Sequence, residues 1–454
     1  MSVVGINFGS ATSGAGFDVA GTVSSIMTNM RAPETAWATQ TTALTAQDTV
    51  LSSLGSDMSS LATALSTLTA FDGSFSQKEG AVSDSSTLAL TDATSAAAAG
   101  IHTVTVQHLA TSSQQHSSVV AAGTVLSGSF TLQVGSGAPQ TITLDSSDNT
   151  VTGLATAIKN LNIGVDATVI TDSSGARLSL TSSSSGAANE LTVDASNLKD
   201  ADGNSISMTE TQAGTDAAYT MDGIALTSSS NTISGALPGV TFQLLGTSSS
   251  DVTMQIANDT NGIATALSAF VSAYNTLASA LSGQEGKDSS GNAEPLFGDQ
   301  TLSLIQSQLS SALAFATGNS GSTSNLAQLG ISIDTTGQLS LDTSALSTAL
   351  ASNFNGITNF FQNGGDFGQN FASVLNSLGS TGNGALALRS AQNAAEEKTL
   401  ADNKTNLETR LATYQTNLTT QLNEANQVLQ GIPSQLDEVN QIYAAITGYN
   451  KNSN

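Results

Sequence analysis

The sequence predicts an α+β multidomain protein, in which both chain termini form an antiparallel coiled-coil or helical-bundle leg and β-rich head modules are inserted between them. Apolar residues recur every seven residues over residues 23–68 and again in the last part of the chain. The region between carries short alternating segments broken by Gly and Ser, which is typical of β-strands. One helix alone cannot bury a heptad seam, so the two repeats are expected to pair.

The composition excludes several kinds of protein. The chain has 454 residues, of which 39% are hydrophobic and 10% charged, and its net charge is −24 with only 11 Lys and Arg. Nucleic acids and anionic membranes attract basic surfaces, so neither is expected as a partner. The chain contains no Cys, so burial rather than disulfides must stabilise the fold. No apolar run reaches the length of about twenty residues that a membrane span needs.

The first residues are expected to be a Gly- and Ser-rich leader, disordered on its own, over residues 1–16. No Lys or Arg precedes Arg31, so the charged start of a secretory signal peptide is missing. If the protein leaves the cell, its export must therefore depend on another signal.

Two helices are predicted next. Asp18 can cap a helix over residues 19–31, and Pro33 interrupts the pattern before a longer helix over residues 34–70. The short helix has an apolar stripe formed by Val19, Val23, Ile26, Met27 and Met30. The seam of the long helix consists of Trp37, Leu44, Leu51, Leu54, Met58, Leu61, Leu65 and Leu68.

The middle of the chain is predicted to be β-rich. Val104 and Val106 share one face of a strand, and many short strands with one helix at residues 151–160 continue to residue 256. Helices are expected at residues 260–281, 302–313 and 344–361. Residues 329–341 are predicted to form a β-hairpin.

A last helix is predicted from near Ala394, and it supplies the partner seam. Its inner seam consists of Leu400, Leu407, Leu411, Tyr414 and Leu418. Pro433 is expected to interrupt it, as Pro33 does the first seam, so both prolines are predicted hinges. The outer stripe beyond Pro433 consists of Leu436, Val439, Ile442, Tyr443 and Ile446.

These lengths predict two pairings, residues 34–70 with 396–430 and residues 19–31 with 434–448. The second pair of segments, residues 19–31 and 434–448, has two interpretations. The two helices can pack on each other, or they can contact other subunits or a partner filament. We favour the interface, because two helices of about four turns are marginal as an isolated pair.

Three domains follow from this reading. Residues 1–33 and 433–454 form a terminal helical domain that is flexible or contacts a filament. Residues 34–100 and 259–432 form the helical leg, and residues 101–258 form the head. The head is expected to hold two modules, one at about residues 118–195 nested within residues 101–117 and 196–258.

No catalytic, metal or cofactor site is predicted. His102, His108 and His116 lack nearby carboxylates or cysteines that would complete a metal site, so exposed polar histidines are favoured over ligands. Residues 200–204 are similar to part of a calcium loop, but they lack its closing Glu and favour a polar turn. Motifs for hydrolases, nucleotide binding and zinc peptidases are missing, so no enzyme activity is expected.

Three regions carry a family resemblance. They resemble, in this order along the chain, the N-terminal segment, the insertion module and the C-terminal region of flagellar filament-capping proteins, also called hook-associated protein 2. The matching stretches are residues 16–33 and 95–110, then 154–193, then 219–224, 231–234, 238–241, 270–275, 326–331 and 337–342.

The resemblance implies a function that periodicity alone does not give. It implies a protein secreted unfolded through the flagellar export channel, which forms a ring at the distal tip of the filament. The ring, a pentamer with other numbers open, would promote flagellin insertion and polymerisation and prevent loss of exported flagellin. The implied partners are flagellin, the hook–filament junction protein and an export chaperone before secretion.

Two alternatives stay open at this point. The β-rich head could belong to a surface adhesin that binds glycans and mediates cell adhesion. The chain could also be another hook-associated or flagellin-like structural protein, although residues 238–241 and the predicted hairpin favour the cap.

Overall fold

The structure is a computed structural model that describes residues 13–121, 123–316, 323 and 325–448. Most of the predicted leader lies outside these residues. The α+β multidomain fold is confirmed. The chain divides into two units: the first contains the residues up to Thr69 and those from Ala266 onward, and the second contains residues 70–265. The described helices are α1 (Val19–Met30), α2 (Ala32–Thr69), α3 (Val151–Leu161), α4 (Thr260–Gly283), α5 (Gln300–Leu313), α6 (Thr343–Gln362), α7 (Phe367–Gly379) and α8 (Ala385–Thr447).

The described strands fall into five sheets. They are β1 (Lys78–Val82), β2 (Leu88–Ala93), β3 (Gly100–His108), β4 (Gln114–Ser117), β5 (Ser129–Val134), β6 (Gln140–Thr143), β7 (Val165–Asp172), β8 (Gly175–Ser182), β9 (Leu191–Asp194), β10 (Met208–Gln212), β11 (Ala217–Met221), β12 (Ile224–Ser228), β13 (Thr232–Leu237), β14 (Val240–Leu244), β15 (Val252–Asn258), β16 (Ile331–Ile333) and β17 (Leu339–Leu341).

The first unit is a helical assembly built around α2. Its apolar face is buried at Leu44, Leu51, Leu54, Met58, Leu61, Leu65 and Leu68. These residues meet several helices, since α2 contacts α6, α7 and α8. The seam predicted from the heptads therefore exists, but it faces a bundle over part of its length rather than one partner helix.

The antiparallel pairing of α2 with α8 is confirmed, but the predicted register is wrong. Thr45 Oγ1 lies 3.1 Å from Glu397 Oε1, and Asn393 Nδ2 donates to Asp48 Oδ1 at 2.9 Å. These contacts pair the middle of α2 with the start of α8. The predicted pairing of residues 34–70 with 396–430 is thus displaced by about three heptads.

The same register continues across the short gap between α1 and α2. Val19, Val23 and Met27 are buried against Leu411 and Leu422 of α8. The prediction that α1 pairs with residues 434–448 is therefore wrong, and the end of α8 extends beyond α1. This follows from the α2–α8 register. Because α1 and α2 both run antiparallel to α8, α1 must lie beside the part of α8 that directly follows the part paired with α2.

The two prolines behave differently. The first helix ends at Met30 and the second begins at Ala32, so the break lies just before Pro33. Pro433 lies inside α8, which begins nine residues earlier than Ala394 and runs to Thr447. The predicted interruption at Pro433 is wrong, and the two predicted C-terminal segments are one helix.

An aromatic cluster holds the rest of the helical unit together. Phe270 of α4 packs edge-on against Phe371 of α7, with ring centroids 5.5 Å apart. Phe360 stacks on Phe367, with ring centroids 5.0 Å apart.

The predicted hairpin is confirmed as β16 and β17. Asn275 of α4 holds it through two hydrogen bonds: Oδ1 accepts from Leu339 N at 2.7 Å, and Nδ2 donates to Leu339 O at 2.8 Å. Each of these contacts lies within the first unit.

The second unit contains two β cores. In the outer module, a sheet with the order β1-β15-β3-β11-β12 shares a core with a second sheet, β13-β14-β2. Tyr219 and Phe242 meet edge-on across it at 6.1 Å. In the inner module, α3 and the sheets β10-β4-β8-β7 and β6-β5-β9 surround a separate core.

Two predicted domain limits are wrong. Residues 70–100 were assigned to the helical leg, yet β1 pairs with β15 and β2 pairs with β14 in the β-rich unit. The nested module is also wider than residues 118–195, because β4 and β10 join its sheet and Met208 packs on its core. The strands β4 and β10 are short and largely polar, which weakens their sequence pattern. The strands β1 and β2 pair with β15 and β14, which lie far along the chain, and a local pattern does not show such pairings.

Candidate functional site

The surface of α8 changes along its length from a covered to an uncovered apolar stripe. In the covered part, Leu411 is 1% exposed under α1, and Phe17 N donates to Asn426 Oδ1 at 2.8 Å. Asp18 caps α1 by accepting a hydrogen bond from Gly21 N at 2.9 Å. This cap fixes where α1 begins and so which part of α8 it covers.

Beyond Pro433 every residue of α8 is exposed except Ala444, which is half-buried. The predicted outer stripe therefore faces solvent: Val439 is 60% exposed and Ile446 is 78% exposed, and Leu436, Ile442 and Tyr443 are exposed as well. Within the described part of the chain, no other element covers this surface. A row of large apolar side chains exposed on one helix face marks an interaction surface.

The structure divides the predicted stripe of α1 into two parts. Val19, Val23 and Met27 pack against α8, so they contribute to packing within the chain. Ile26 is half-buried and Met30 is exposed. The predicted interface set thus separates into an inward-facing part of α1 and an outward-facing end of α8.

An open cavity of about 380 Å³ lies where α1 ends. Met30 lines it from α1, and α8 contributes Leu407, Leu411, Tyr414 and the cation Arg410, with Thr409, Thr413 and Asn417. Tyr414, a predicted seam residue, is 44% exposed here rather than buried in the seam. The break before Pro33 therefore leaves a partly apolar notch on the side of α8.

The inner seam residues are placed largely as predicted. Leu400 and Leu411 are buried, and Trp37, Leu407 and Leu418 are half-buried. Sequence reasoning missed Leu386 and Leu422, which are buried on the same face of α8. Leu386 lies fourteen residues before Leu400, so an earlier helix start would have included it. Leu422 lies four residues after Leu418, within the predicted helix, and continues the alternating spacing of the seam.

Comparison with known proteins decides the family. The N-terminal model of flagellar hook-associated protein 2 matches residues 15–113, and the C-terminal model matches residues 214–433. A B-type flagellar hook-associated protein 2 from Pseudomonas aeruginosa is 30% identical over 363 residues, covering 73% of this chain and 76% of that relative. The chain belongs to the flagellar hook-associated protein 2 family.

Further relatives agree with this. The flagellar hook-associated protein 2 of Escherichia coli is 31% identical over 287 residues, which is 58% of this chain and 61% of that protein. The crystal structure of the D1–D2–D3 domains of the flagellar cap protein FliD from Escherichia coli matches with a TM-score of 0.58 and 30% identity, covering 76% of this chain and 99% of that one. This member of the family is thus a structural flagellar cap protein, and the comparisons give no support to a glycan-binding adhesin.

A polar cluster that sequence reasoning missed joins helices of the helical leg. Arg389 of α8 donates to Asp299 at 2.6 Å and to Gln47 of α2 at 3.0 Å, and it also binds Asn393. Asp299 caps α5 by accepting from Thr301 N at 2.8 Å. Burial raises the pKa of Asp299, but the hydrogen bonds from Arg389 and Thr301 outweigh burial and hold that pKa below its usual value.

The candidate metal residues of this family member have other partners. His102 of β3 has its Nδ1 2.7 Å from Oδ2 of Asp222, which lies in the turn between β11 and β12. Hydrogen bonds that Asp200 accepts from Asn204, and to a smaller extent from Asp202 N, hold the pKa of Asp200 below its usual value and form a polar turn at residues 200–204. Among the residues that the structure describes, no three His, Asp or Glu side chains are grouped to hold a metal ion, and none of the helices is apolar and long enough to span a membrane.

Proposed function

We propose that this protein forms a homo-oligomeric ring at the distal tip of the flagellar filament, where it promotes flagellin insertion and prevents loss of exported flagellin. The observation that carries the proposal is the match of residues 15–113 and 214–433 to the two ends of hook-associated protein 2. Those two segments supply α1, α2, most of α8 and the outer β module. The match therefore extends to the leg as well as to the head.

The terminal helices are the proposed contact with neighbouring molecules. The exposed stripe on the end of α8, with Val439 at its centre, supports this, because it is an apolar surface left uncovered within the described residues. We infer that flagellin and the hook–filament junction protein are partners, and that an export chaperone covers such surfaces before secretion. A shielding partner before assembly is expected because exposed apolar helices associate non-specifically.

Export as an unfolded chain is part of this proposal. The absence of Cys supports it, since no disulfide can form that would prevent a chain from passing through a narrow channel. The break before Pro33 and the proline within α8 are the proposed positions at which the leg bends.

Complementation of a deletion strain tests the function. Without the gene we expect no swimming and abundant flagellin in the medium, and the full chain should restore filaments. A triple variant of the outer stripe, Leu436→Ser, Val439→Ser and Ile446→Ser, should fail to restore them.

The matched control changes polar neighbours on the same helix, Gln435→Ser, Asn440→Ser and Gln441→Ser, and should restore swimming. Normal filament growth in the deletion strain would refute the cap function. Full activity of the stripe variant would refute the role of the α8 surface and leave the cap function intact.

A further inference from the structure

An apolar row on α8 runs from beneath α1 to the exposed end of the helix. Its members lie seven residues apart and so share one face: Leu422, Leu429, Leu436 and Tyr443. Leu422 is buried in the small core that α1 forms with α8, and Leu429 is half-buried. Leu436 is 43% exposed and Tyr443 is 58% exposed. One continuous apolar row is therefore covered at its inner end and uncovered at its outer end.

The segment before α1 follows the edge of this apolar row. Phe17 N donates to Asn426 Oδ1 at 2.8 Å, and a Cβ on Gly16 would collide with the same side chain. A Cβ on Gly14 would stand 3.1 Å from Pro433 Cγ. Going back along the chain from Phe17 to Gly14, the segment therefore advances about seven residues along α8, toward its exposed end.

The same line continues past Pro433. Residues three and four apart are neighbours on a helix surface. Asn426 and Pro433 each lie four residues after one member of the apolar row and three residues before the next. Seven residues further on, Asn440 has the same relation to Leu436 and Tyr443. A segment that keeps to this line therefore reaches Asn440 next, with the two exposed members of the row beside it.

Residues 1–12 lie outside the described part of the chain, and their length fits this path. From Pro433 to Tyr443, α8 rises about 15 Å, a distance that about five extended residues span. Counted back from Gly14, this distance ends close to Phe8, the one aromatic residue in the stretch. An extended path therefore places an aromatic side chain beside the last member of the row.

The chemistry of residues 1–12 also suits the row. The stretch contains no Asp, Glu, Lys or Arg, although the whole chain has a net charge of −24, so no like charge repels it from the acidic residues of α8. Val4, Ile6 and Phe8 alternate with small or polar residues, which gives an extended segment one apolar face. The stretch after α8, residues 449–454, is polar apart from one Tyr.

We propose that the residues before α1 continue along α8 in extended form, with Phe8 packed on Tyr443. The occupant of the apolar row is thus a segment of the same chain. Val439 and Ile446 lie three residues past Leu436 and Tyr443, about 60° further from the path of the segment. They stay exposed for the neighbouring molecules proposed above, and the contact within the chain does not rest on that proposed function.

The covalent connection favours this contact over one with another molecule. Phe8 lies nine residues before Phe17, whose backbone is already bound to α8, so its effective concentration at Tyr443 is high. Covering the row also removes apolar surface from water, which stabilises the bound segment. The apolar surface of α8 that is left for other molecules is correspondingly narrower and consists of Val439, Ile442 and Ile446.

Cysteine cross-linking tests the path of the segment, because the chain has no Cys of its own. Ala11→Cys combined with Asn440→Cys pairs two positions that the proposed path brings together, and it leaves Phe8 and Tyr443 intact. The control combines Ala11→Cys with Glu438→Cys, which lies on the opposite side of α8. Under mild oxidation, we expect the first disulfide to close within one chain about ten times faster than the control. Equal rates would overturn the proposal.

Mixing two single variants identifies the source of the occupant. Protein with Ala11→Cys and protein with Asn440→Cys are oxidised together at the concentration used for the double variant. We expect heterodimers to form at least about ten times more slowly than the double variant closes its own disulfide. Heterodimers that form at the rate of the double variant would show that the row is covered by another copy, and the proposal would be wrong.

Tyrosine nitration tests Phe8 as the anchor. In the full chain we expect Tyr443 to react more slowly than Tyr414, although Tyr414 is the less exposed of the two in the described structure. Phe8→Ser should raise the rate at Tyr443 about threefold and leave Tyr414 unchanged, whereas Asn7→Ser should change neither. Faster nitration of Tyr443 than of Tyr414 in the full chain, with no effect of Phe8→Ser, would refute the contact.

These outcomes are separate from those that test the cap. A chain that shows the cross-link and the protected Tyr443 but does not restore filaments would refute the proposed function alone. A chain that restores filaments without the cross-link would refute the contact within the chain and leave the cap function intact.

Discussion

Asn393 occupies a seam position of α8, where the residues seven before and seven after it are Leu386 and Leu400. It is fully buried, donates to Asp48 of α2 at 2.9 Å and accepts from Arg389. Sliding the two helices by one heptad would separate this amide from Asp48 and place Thr41 or Gly55 opposite it, so the buried hydrogen bond that joins the two helices would be lost, which costs free energy. The polar group therefore selects one register among several that bury leucines equally well.

Arg389 gives a prediction at the same scale. Replacement by Met keeps most of the side-chain volume but leaves Asp299, whose side chain is 13% exposed, without its cation. We expect Arg389→Met to lower the free energy of unfolding at pH 7 by about 2–3 kcal/mol. Urea unfolding monitored by helical circular dichroism measures this loss.

The control is Lys398→Met, which removes an exposed pair with Asp402 and should cost at most about 0.5 kcal/mol. The two losses would be equal if the Arg389 cluster contributed no more than a surface ion pair.

The pKa of Asp299 makes this loss depend on pH. In the wild type the folded-state pKa is lowered, so the ionised carboxylate stabilises the fold above the unfolded pKa near 4, and this is lost as pH falls further. In Arg389→Met the carboxylate loses its counterion, so the pKa of Asp299 rises relative to the wild type, and protonation removes the uncompensated buried charge. The difference in stability between the two proteins should be largest at neutral pH and smaller at pH 3, and a constant difference would contradict this.

Residues of this kind could not be found from the repeat alone. Counting apolar positions identified Leu44, Leu51 and Leu411 correctly, because their burial follows from spacing. Asn393 interrupts the same count, and its role depends on Asp48 and Arg389 being nearby, which the three-dimensional register determines. The exposed stripe was predicted as an interface, and its exposure agrees with that prediction without testing it.

At the level of elements, α1 depends on the part of α8 that it covers. Leu411 is 1% exposed beneath it and belongs to the small core that includes Val23 and Met27. Leu411→Ala should cost about 2–4 kcal/mol and release α1 first, because that helix has only this narrow apolar contact. Faster trypsin cleavage after Arg31, at the break between α1 and α2, would report the release.

Leu436→Ala is the matched control, since the same substitution lies on the uncovered end of the same helix. It should leave cleavage after Arg31 unchanged. Equal acceleration in both variants would show that α1 is not held by Leu411.

Two element-level predictions were wrong for physical reasons. Heptads match after any shift of seven residues, so helix lengths suggested a register that the polar contacts of Asn393 do not allow. A proline usually ends a helix because it removes a hydrogen bond to the carbonyl four residues earlier. Here that carbonyl belongs to Leu429, near the exposed end of α8 where water can bind such a group, and the helix continues through Pro433.

At the scale of the whole molecule, the β-rich unit is self-contained. Strands β1 to β15 pair only with one another among the described residues, all within residues 70–265. We expect a fragment of residues 70–265 to fold alone and to unfold in cooperative transitions, as measured by far-ultraviolet circular dichroism during heating. Both of its cores are complete without the helical unit.

A fragment of residues 101–258, the head as predicted from the sequence, is the control. It lacks β1 and β2, which pair with β15 and β14, so it should aggregate or unfold at a lower temperature. Equal stability of the two fragments would contradict the assignment of residues 70–100 to this unit.

The hydrogen bond between Phe17 and Asn426 joins residues 409 positions apart. Closing a loop of that length costs about 5 kcal/mol of chain entropy before any contact stabilises it. All strands of the β-rich unit lie within residues 70–265, so their pairings close shorter loops than the contact between α1 and α8 does. We therefore expect the β-rich unit to fold before α1 packs on α8.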